Sequence, residues 1–277
     1  MIHVSQSPKI VGILNITEDS FSDGGRFLGA DAALAHAQEL IADGADIVDI
    51  GPSASNPDAK PVAPAEEIRR IELVLPLLRK TGAQISIDSF QSETQRFALA
   101  AGVDYLNDIH GFADASIYPQ LAASRAKLIA MHAIQSRGVA TREKGDPETI
   151  WSRILAFFDA RLAALEAAGI ERSRLILDSG MGLFLGAGRE VSFTVLREIA
   201  RLKAAFGLPV LISVSRKSFL RVALGRSPTQ AGPATLAAEL FAASQGVDYI
   251  RTHDVRALKD GLSTMSAIEG FLGQARQ

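Results

Sequence analysis

Eight short apolar runs recur from one end of this chain to the other: KIVGIL (9–14), ADIVDI (45–50), QISID (84–88), VDYLND (103–108), KLIAM (127–131), RLILD (174–178), LPVLISV (208–214) and VDYIRT (247–252). Most are continuous rather than alternating, as strands buried on both faces of a parallel sheet are. Between them lie Ala/Leu/Glu-rich stretches such as DAALAHAQELIADG and PETIWSRILAFFDARLAALEAAG. Their apolar residues repeat every three or four positions, and a Gly stands near each stop. The rhythm is strand–helix, eight times over. A doubly wound open sheet is the competing arrangement, but it gives less reason for eight regular units. The expected fold is an α/β (β/α)8 TIM barrel, and 277 residues suit one, since such barrels need roughly 250. No Gly/Ser- or Pro-rich linker divides the chain, so residues 1–277 are expected to form one domain.

Composition narrows the function. The 31 acidic and 29 basic residues are interspersed, which leaves no basic stripe for nucleic acid or an anionic membrane. Cysteine is absent, which excludes disulfides, thiolate metal sites and thiol catalysis. There is neither a signal-type N-terminus nor an 18-residue apolar span, and a cytoplasmic protein is expected.

In barrels of this type the working residues lie just past the C-terminal ends of the strands. Polar residues stand at all eight such places: Asn15, Asp49, Asp88, Asn107 with Asp108, His132, Asp178, Arg216 with Lys217, and Arg251 with His253. One alone could simply cap the following helix; eight in register point to a site. Arg216 and Lys217 have no acidic residue within ten positions on either side. With Arg251 and His253 they crowd the end of strands seven and eight, where barrels commonly hold phosphate. The polar loop after the first strand, with Asn15, Thr17, Asp19 and Asp23, offers only oxygen donors, which suits Mg²⁺ beside a substrate's phosphates. Asp88, Asn107 and Asp178 converge from three strands, a set suited to a flat heterocycle with a guanidine-like edge.

These residues fall in motifs that resemble dihydropteroate synthases: GILNITEDSFSDGG (12–25), SIDSFQ (86–91), YLNDI (105–109), MH (131–132), LDSGMG (177–182), SVSRKSFL (213–220) and RTHDV (251–255), in the family's order. The resemblance implies a homodimeric barrel that joins 7,8-dihydropterin-6-ylmethyl diphosphate to 4-aminobenzoate in folate biosynthesis, with Mg²⁺ and without nucleic acid or membrane as partner. By motif position it implies that Asp88, Asn107 and Asp178 hold the pterin edge and that Met131 lies in the substrate pocket. Lys217 would lie against the pterin ring, and Asn15 would meet Mg²⁺. Arg251 and His253 would hold the diphosphate, with Arg216 adding positive charge, and Ser218 would receive the aminobenzoate carboxylate. Two other readings compete: a methyltetrahydrofolate-binding methyltransferase domain, and a pterin-binding protein without catalysis.

The chain also departs from the family. Its second loop reads GPSASNPDAK (51–60) where Glu-Ser-Thr-Arg-Pro-Gly is usual, so a substrate-facing Arg is missing and Ser53, Ser55 and Asn56 remain as neutral hydrogen-bonding groups. The usual Asp-Pro-Gly is Asp178-Ser179-Gly180, followed by a segment, GMGLFLGAGREVS, about two residues longer than is ordinary. Both features resemble the sulfonamide-insensitive enzymes of mobile resistance elements, although Ser179 and Leu183 stand where that branch has Pro and Phe. Phe184 is the expected obstacle to the drug, standing at the mouth of the pocket. His36 is expected to face solvent, His110 to line the entrance and His132 to support the pocket.

Overall fold

The computed structural model describes residues 7–17, 25–136, 138–227 and 230–274. Asp19 and Asp23, named above as candidate oxygen donors, lie outside them. Eight strands, β1 (Lys9–Asn15), β2 (Ile47–Gly51), β3 (Gln84–Asp88), β4 (Tyr105–Asp108), β5 (Lys127–Met131), β6 (Leu175–Asp178), β7 (Val210–Ile212) and β8 (Tyr249–Thr252), pair in parallel in sequence order. β8 closes on β1 through Val11–Arg251 and its neighbours, so the sheet is a closed barrel. Each apolar run identified from sequence coincides with a strand to within a few residues, β1 and β2 extending one residue past theirs.

The intervening helices are α1 (Gly25–Ala42), α2 (Pro64–Arg79), α3 (Ser92–Ala100), α4 (Tyr118–Ala123), α5 (Ile150–Ala167), α6 (Arg189–Arg197), α7 (Ala200–Phe206), α8 (Ser218–Leu224), α9 (Gly232–Ser244) and α10 (Val255–Gln274). Their starts follow local chemistry. Pro64 and Pro233 sit in first turns, where a missing N–H costs no intrahelical bond. Asp254 Oδ1 accepts the N–H of Ala257 at 3.0 Å and caps the start of α10.

Strand alternation builds two apolar masses. Outward-facing residues such as Ile10, Leu14, Val48, Ile85 and Leu128 pack with the helices in one large core. Inward-facing Val11, Ile47, Tyr105, Ile129, Ile176, Leu211 and Tyr249 fill the barrel bore as a separate cluster. Successive strand residues alternate faces, so the residue two positions further along points into the bore one layer higher. That rule lifts Asp49 above Ile47, Asn107 above Tyr105, Met131 above Ile129, Asp178 above Ile176 and Arg251 above Tyr249. The site is therefore a polar layer resting on a dry apolar plug.

The loop after β5 is stitched across the barrel mouth. On one flank Ala140 N–H donates to Ser55 O of the β2 loop at 3.0 Å, and Arg142 pairs with Asp58 at 2.6 Å. On the other flank Ile134 N–H donates to Phe184 O at 2.9 Å and Ala187 N–H to Glu143 O at 2.7 Å, both in the β6 loop. The approach there is close enough to require glycine: a Cβ on Gly145 would lie 2.1 Å from Leu185 O.

Candidate active site

Arg251 organises the polar layer. Its Nε donates to Asp49 Oδ2 at 2.5 Å and its Nη2 to Asp88 Oδ2 at 2.9 Å, bringing β2, β3 and β8 together on one guanidinium. The same Asp49 oxygen accepts a longer bond from Asn107 Nδ2, at 3.4 Å. The sequence offered no neighbour to balance Asp88; the structure supplies Arg251, which is tied to Asp49 and Asp88 together. Asp49 is wholly buried. It was noted at its strand end but given no role, and it proves to be the chief anchor of Arg251.

The charges are tuned by enclosure. Burial raises Asp88 to about 7, with the Arg251 charge pulling down and the Asp49 charge pushing up. Asp178 is raised to about 6, again by burial, against the opposing Gly180 N–H, which donates to its Oδ1 at 2.8 Å, and the charges of Lys217 and Arg251. Burial and the nearby Arg251 lower Lys217 to about 8. A set of acids and one amine near neutrality in a single cleft is the electrostatic mark of a functional site. Two acceptors remain open there: Asn107 Oδ1 and Asp49 Oδ1 are buried without a partner among the described residues, an arrangement native cores avoid unless something else completes it.

The segment after β7 turns sharply. Arg216 adopts φ 57, the left-handed region that side chains disfavour. Arg216 is exposed, whereas Lys217 turns toward the site and holds its Nζ 4.9 Å from the centre of the Phe184 ring. Ser218 follows as the first residue of α8. Ser215 Oγ and His253 Nδ1 lie 2.9 Å apart, tying this turn to the end of β8. His253 is lowered to about 3 by burial and then by the positive charges of Arg251, Arg216 and Lys217. Asn15 ends β1 at the rim, exposed, with its Oδ1 beside Gly51 of β2.

Phe184 is 5% exposed and clusters with Ile109, Met131 and Ala140, against which Phe90, Ala133 and Leu183 also pack. It forms an inner wall beside Lys217 rather than an open sill at the mouth. The loop that carries it needs two left-handed glycines, Gly180 and Gly182; a Cβ on the first would fall 2.3 Å from His132 O. Ser53 does not face a substrate freely, because its hydroxyl donates to Glu67 Oε1 at 2.6 Å. Glu67, which sequence reasoning passed over, also accepts from Ser89 at 2.6 Å and Thr94 at 2.8 Å, pinning the β2 and β3 loops to α2.

His132 is buried, approaches Ser179 O through Nδ1 at 3.1 Å and is lowered to about 4 by burial, a supporting group as expected. His110 lies against Gly138 O at 2.7 Å and lines a neighbouring cavity of about 830 Å³. His36 is about half exposed beside Glu39. No helix among the described residues is long and apolar enough to cross a membrane.

Residues 11–253 match the pterin binding enzyme family. The chain is 56% identical over 266 residues to dihydropteroate synthase type-2 of Escherichia coli, covering 96% of this chain and 98% of that one. It is 46% identical to the type-3 enzyme of the same organism, covering 94% and 99%. Among solved structures it superposes on Xanthomonas albilineans dihydropteroate synthase with 4-aminobenzoic acid with a TM-score of 0.87 and 34% identity, over 95% of this chain and 94% of the other. On these matches the chain belongs to the pterin-binding enzymes and, among them, to the dihydropteroate synthases.

Proposed function

We propose that this enzyme condenses 7,8-dihydropterin-6-ylmethyl diphosphate with 4-aminobenzoate to give 7,8-dihydropteroate and pyrophosphate. One observation carries the reading: Asp88, Asn107 and Asp178 converge above the apolar plug, with buried acceptors left open beside one lysine and one arginine. The aminopyrimidinone edge of a pterin supplies the missing N–H donors. Phe184 and Met131 wall its ring, and Lys217 reaches it from the side.

The chemistry follows from charge. The methylene C–O bond breaks with its electron pair going to the departing pyrophosphate, and the reduced pterin delocalises the cation left behind. Positive charge at Arg251, Arg216 and Lys217 stabilises the leaving anion, as preorganised charge does best in an enclosed site. The aniline nitrogen then forms the C–N bond and releases its proton to solvent. An arylamine needs no strong base, which agrees with His132 and His253 both being held neutral at pH 7. Ser218 receives the carboxylate of the second substrate.

Among the described residues no group of three His, Cys, Asp or Glu could hold a metal unaided. A single amide oxygen at the rim, Asn15, fits Mg²⁺, which binds few protein ligands and keeps waters beside substrate phosphates. When bound there, the ion neutralises diphosphate charge. The enzyme works in the cytoplasm as a homodimer and resists sulfonamides through the wall around Phe184.

The test is aminobenzoate-dependent pyrophosphate release with Mg²⁺, titrated with a sulfonamide. Release with a high ratio of inhibition constant to aminobenzoate KM is expected. No release overturns the synthase reading; release with a low ratio overturns the insensitivity alone.

A further inference from the structure

The phosphate corner is braced from behind by one face of α9. Thr235 and Glu239 stand four residues apart, hence on the same side of the helix, and are 4% and 1% exposed. Thr235 Oγ1 accepts the N–H of Arg216 at 3.2 Å, at the left-handed residue itself. Such a conformation is unfavourable for a side-chain-bearing residue and persists where the surroundings enforce it. Glu239 lines the same cavity as Ser215, Arg216 and Asp254, one residue group from each arm of the corner, and the hydroxyl of Thr252, the residue between Arg251 and His253, pulls its pKa down. Thr252 Oγ1 in turn accepts the N–H of Asp254 at 3.2 Å. Strands β7 and β8 pair only at Leu211–Tyr249 and Ile212–Ile250, below the corner. Above that pairing, among the described residues, Ser215 joins the two arms directly, through the side chain and N–H of His253.

Glu239 is otherwise hard to account for. It interrupts the apolar run TLAAELFAA, where a leucine would bury at less cost, and its Oε1 has no protein partner. It lines a cavity of about 630 Å³ whose other charged lining groups are Arg216 and Asp254. Burial raises it to about 8, with the Thr252 hydroxyl opposing and the Asp254 charge adding. At neutral pH it is therefore a carboxylic acid, able to occupy the rear of an anion site without repelling the anion.

We propose that Thr235 and Glu239 are positioning residues that fix the 215–217 turn against the 251–254 segment and so set the affinity for the diphosphate of the pterin substrate. The inference rests on the synthase reading above. It gives Glu239 a second property. Ionisation as pH rises through about 8 puts a negative charge behind the corner, so the KM for pterin diphosphate climbs on the alkaline side. Lys217, lowered to the same region, adds to that climb in the wild-type enzyme; a glutamine at 239 removes only the carboxyl contribution.

The experiment compares wild type, Glu239→Leu and Glu239→Gln by pyrophosphate release, with KM measured separately for each substrate between about pH 6.5 and 9. Glu239→Leu is expected to raise the pterin diphosphate KM roughly tenfold, about 1.4 kcal/mol, with the aminobenzoate KM within about twofold and thermal stability undiminished. Glu239→Gln is expected to restore the KM at pH 7 and flatten its alkaline rise. An active wild type whose leucine variant shifts both KM values together, or neither, refutes this inference alone. A wild type with no aminobenzoate-dependent release refutes the synthase reading and this inference with it.

Discussion

Replacing Asp49 with Asn tests the electrostatics of the polar layer most directly. The substitution keeps shape and removes one charge from a wholly buried position that anchors Arg251 at 2.5 Å. Two effects on Asp88 point the same way. The Asp49 charge, which pushes Asp88 up, disappears, and Arg251, which pulls it down, is left with Asp88 as its remaining carboxylate among the described contacts. At an effective dielectric of about 20, a unit charge ~6 Å away contributes ~3 kcal/mol, or ~2 pKa units. Asp178, at about 6, then becomes the limiting acid. On the proposed function, in which carboxylates bind the pterin edge, the acid limb of kcat/KM for pterin diphosphate should move from near 7 to near 6, a shift of about one unit. The assay is that profile between about pH 5 and 8, each enzyme normalised to its own plateau; kcat/KM reports groups of the free enzyme. Stability should fall by ~2 kcal/mol, less than the 3–5 kcal/mol for a buried pair that loses its sole partner, because Asp88 remains. An acid limb that stays in place or moves upward refutes the reasoning.

Two further outcomes follow from the same layer. Asp178 has its folded-state pKa raised to about 6. Against an unfolded value of ~3.9, ionisation costs stability as pH rises between those values and is flat above. Asp178→Asn should thus abolish pterin turnover yet unfold in urea with ~1–2 kcal/mol more stability at pH 7.5, and less advantage at pH 4.5; lower stability at pH 7.5 contradicts this. Phe184→Ala should lower the sulfonamide inhibition constant about tenfold or more, with aminobenzoate KM changed only a few fold. It should cost about 3–5 kcal/mol for the void beside Met131, and a folded, active variant that stays insensitive removes Phe184 from the account.

Much of the site was legible because strand alternation is strict. Once Tyr105, Ile176 and Tyr249 are placed in the bore, Asn107, Asp178 and Arg251 must follow one layer up. Pairing was not legible: Arg251 finds Asp49 and Asp88 across 202 and 163 residues of chain, a separation that no local pattern encodes. Ser53 read as a substrate contact because nothing in its loop reveals that Glu67 lies beneath it. Glu239 looked like any glutamate of an Ala/Leu-rich helix, since helical periodicity distinguishes faces poorly when nearly every position is small or apolar. Phe184 was found by motif length, but its burial depended on the β5 loop, whose crossing left no trace in composition.

That crossing loop has a kinetic meaning. Held to the β2 loop on one flank and to the β6 loop on the other, it cannot swing aside without losing backbone hydrogen bonds on both. Opening the site past this loop would thus break bonds to the β2 loop and to the β6 loop together, so the three loops are expected to move as one unit rather than singly.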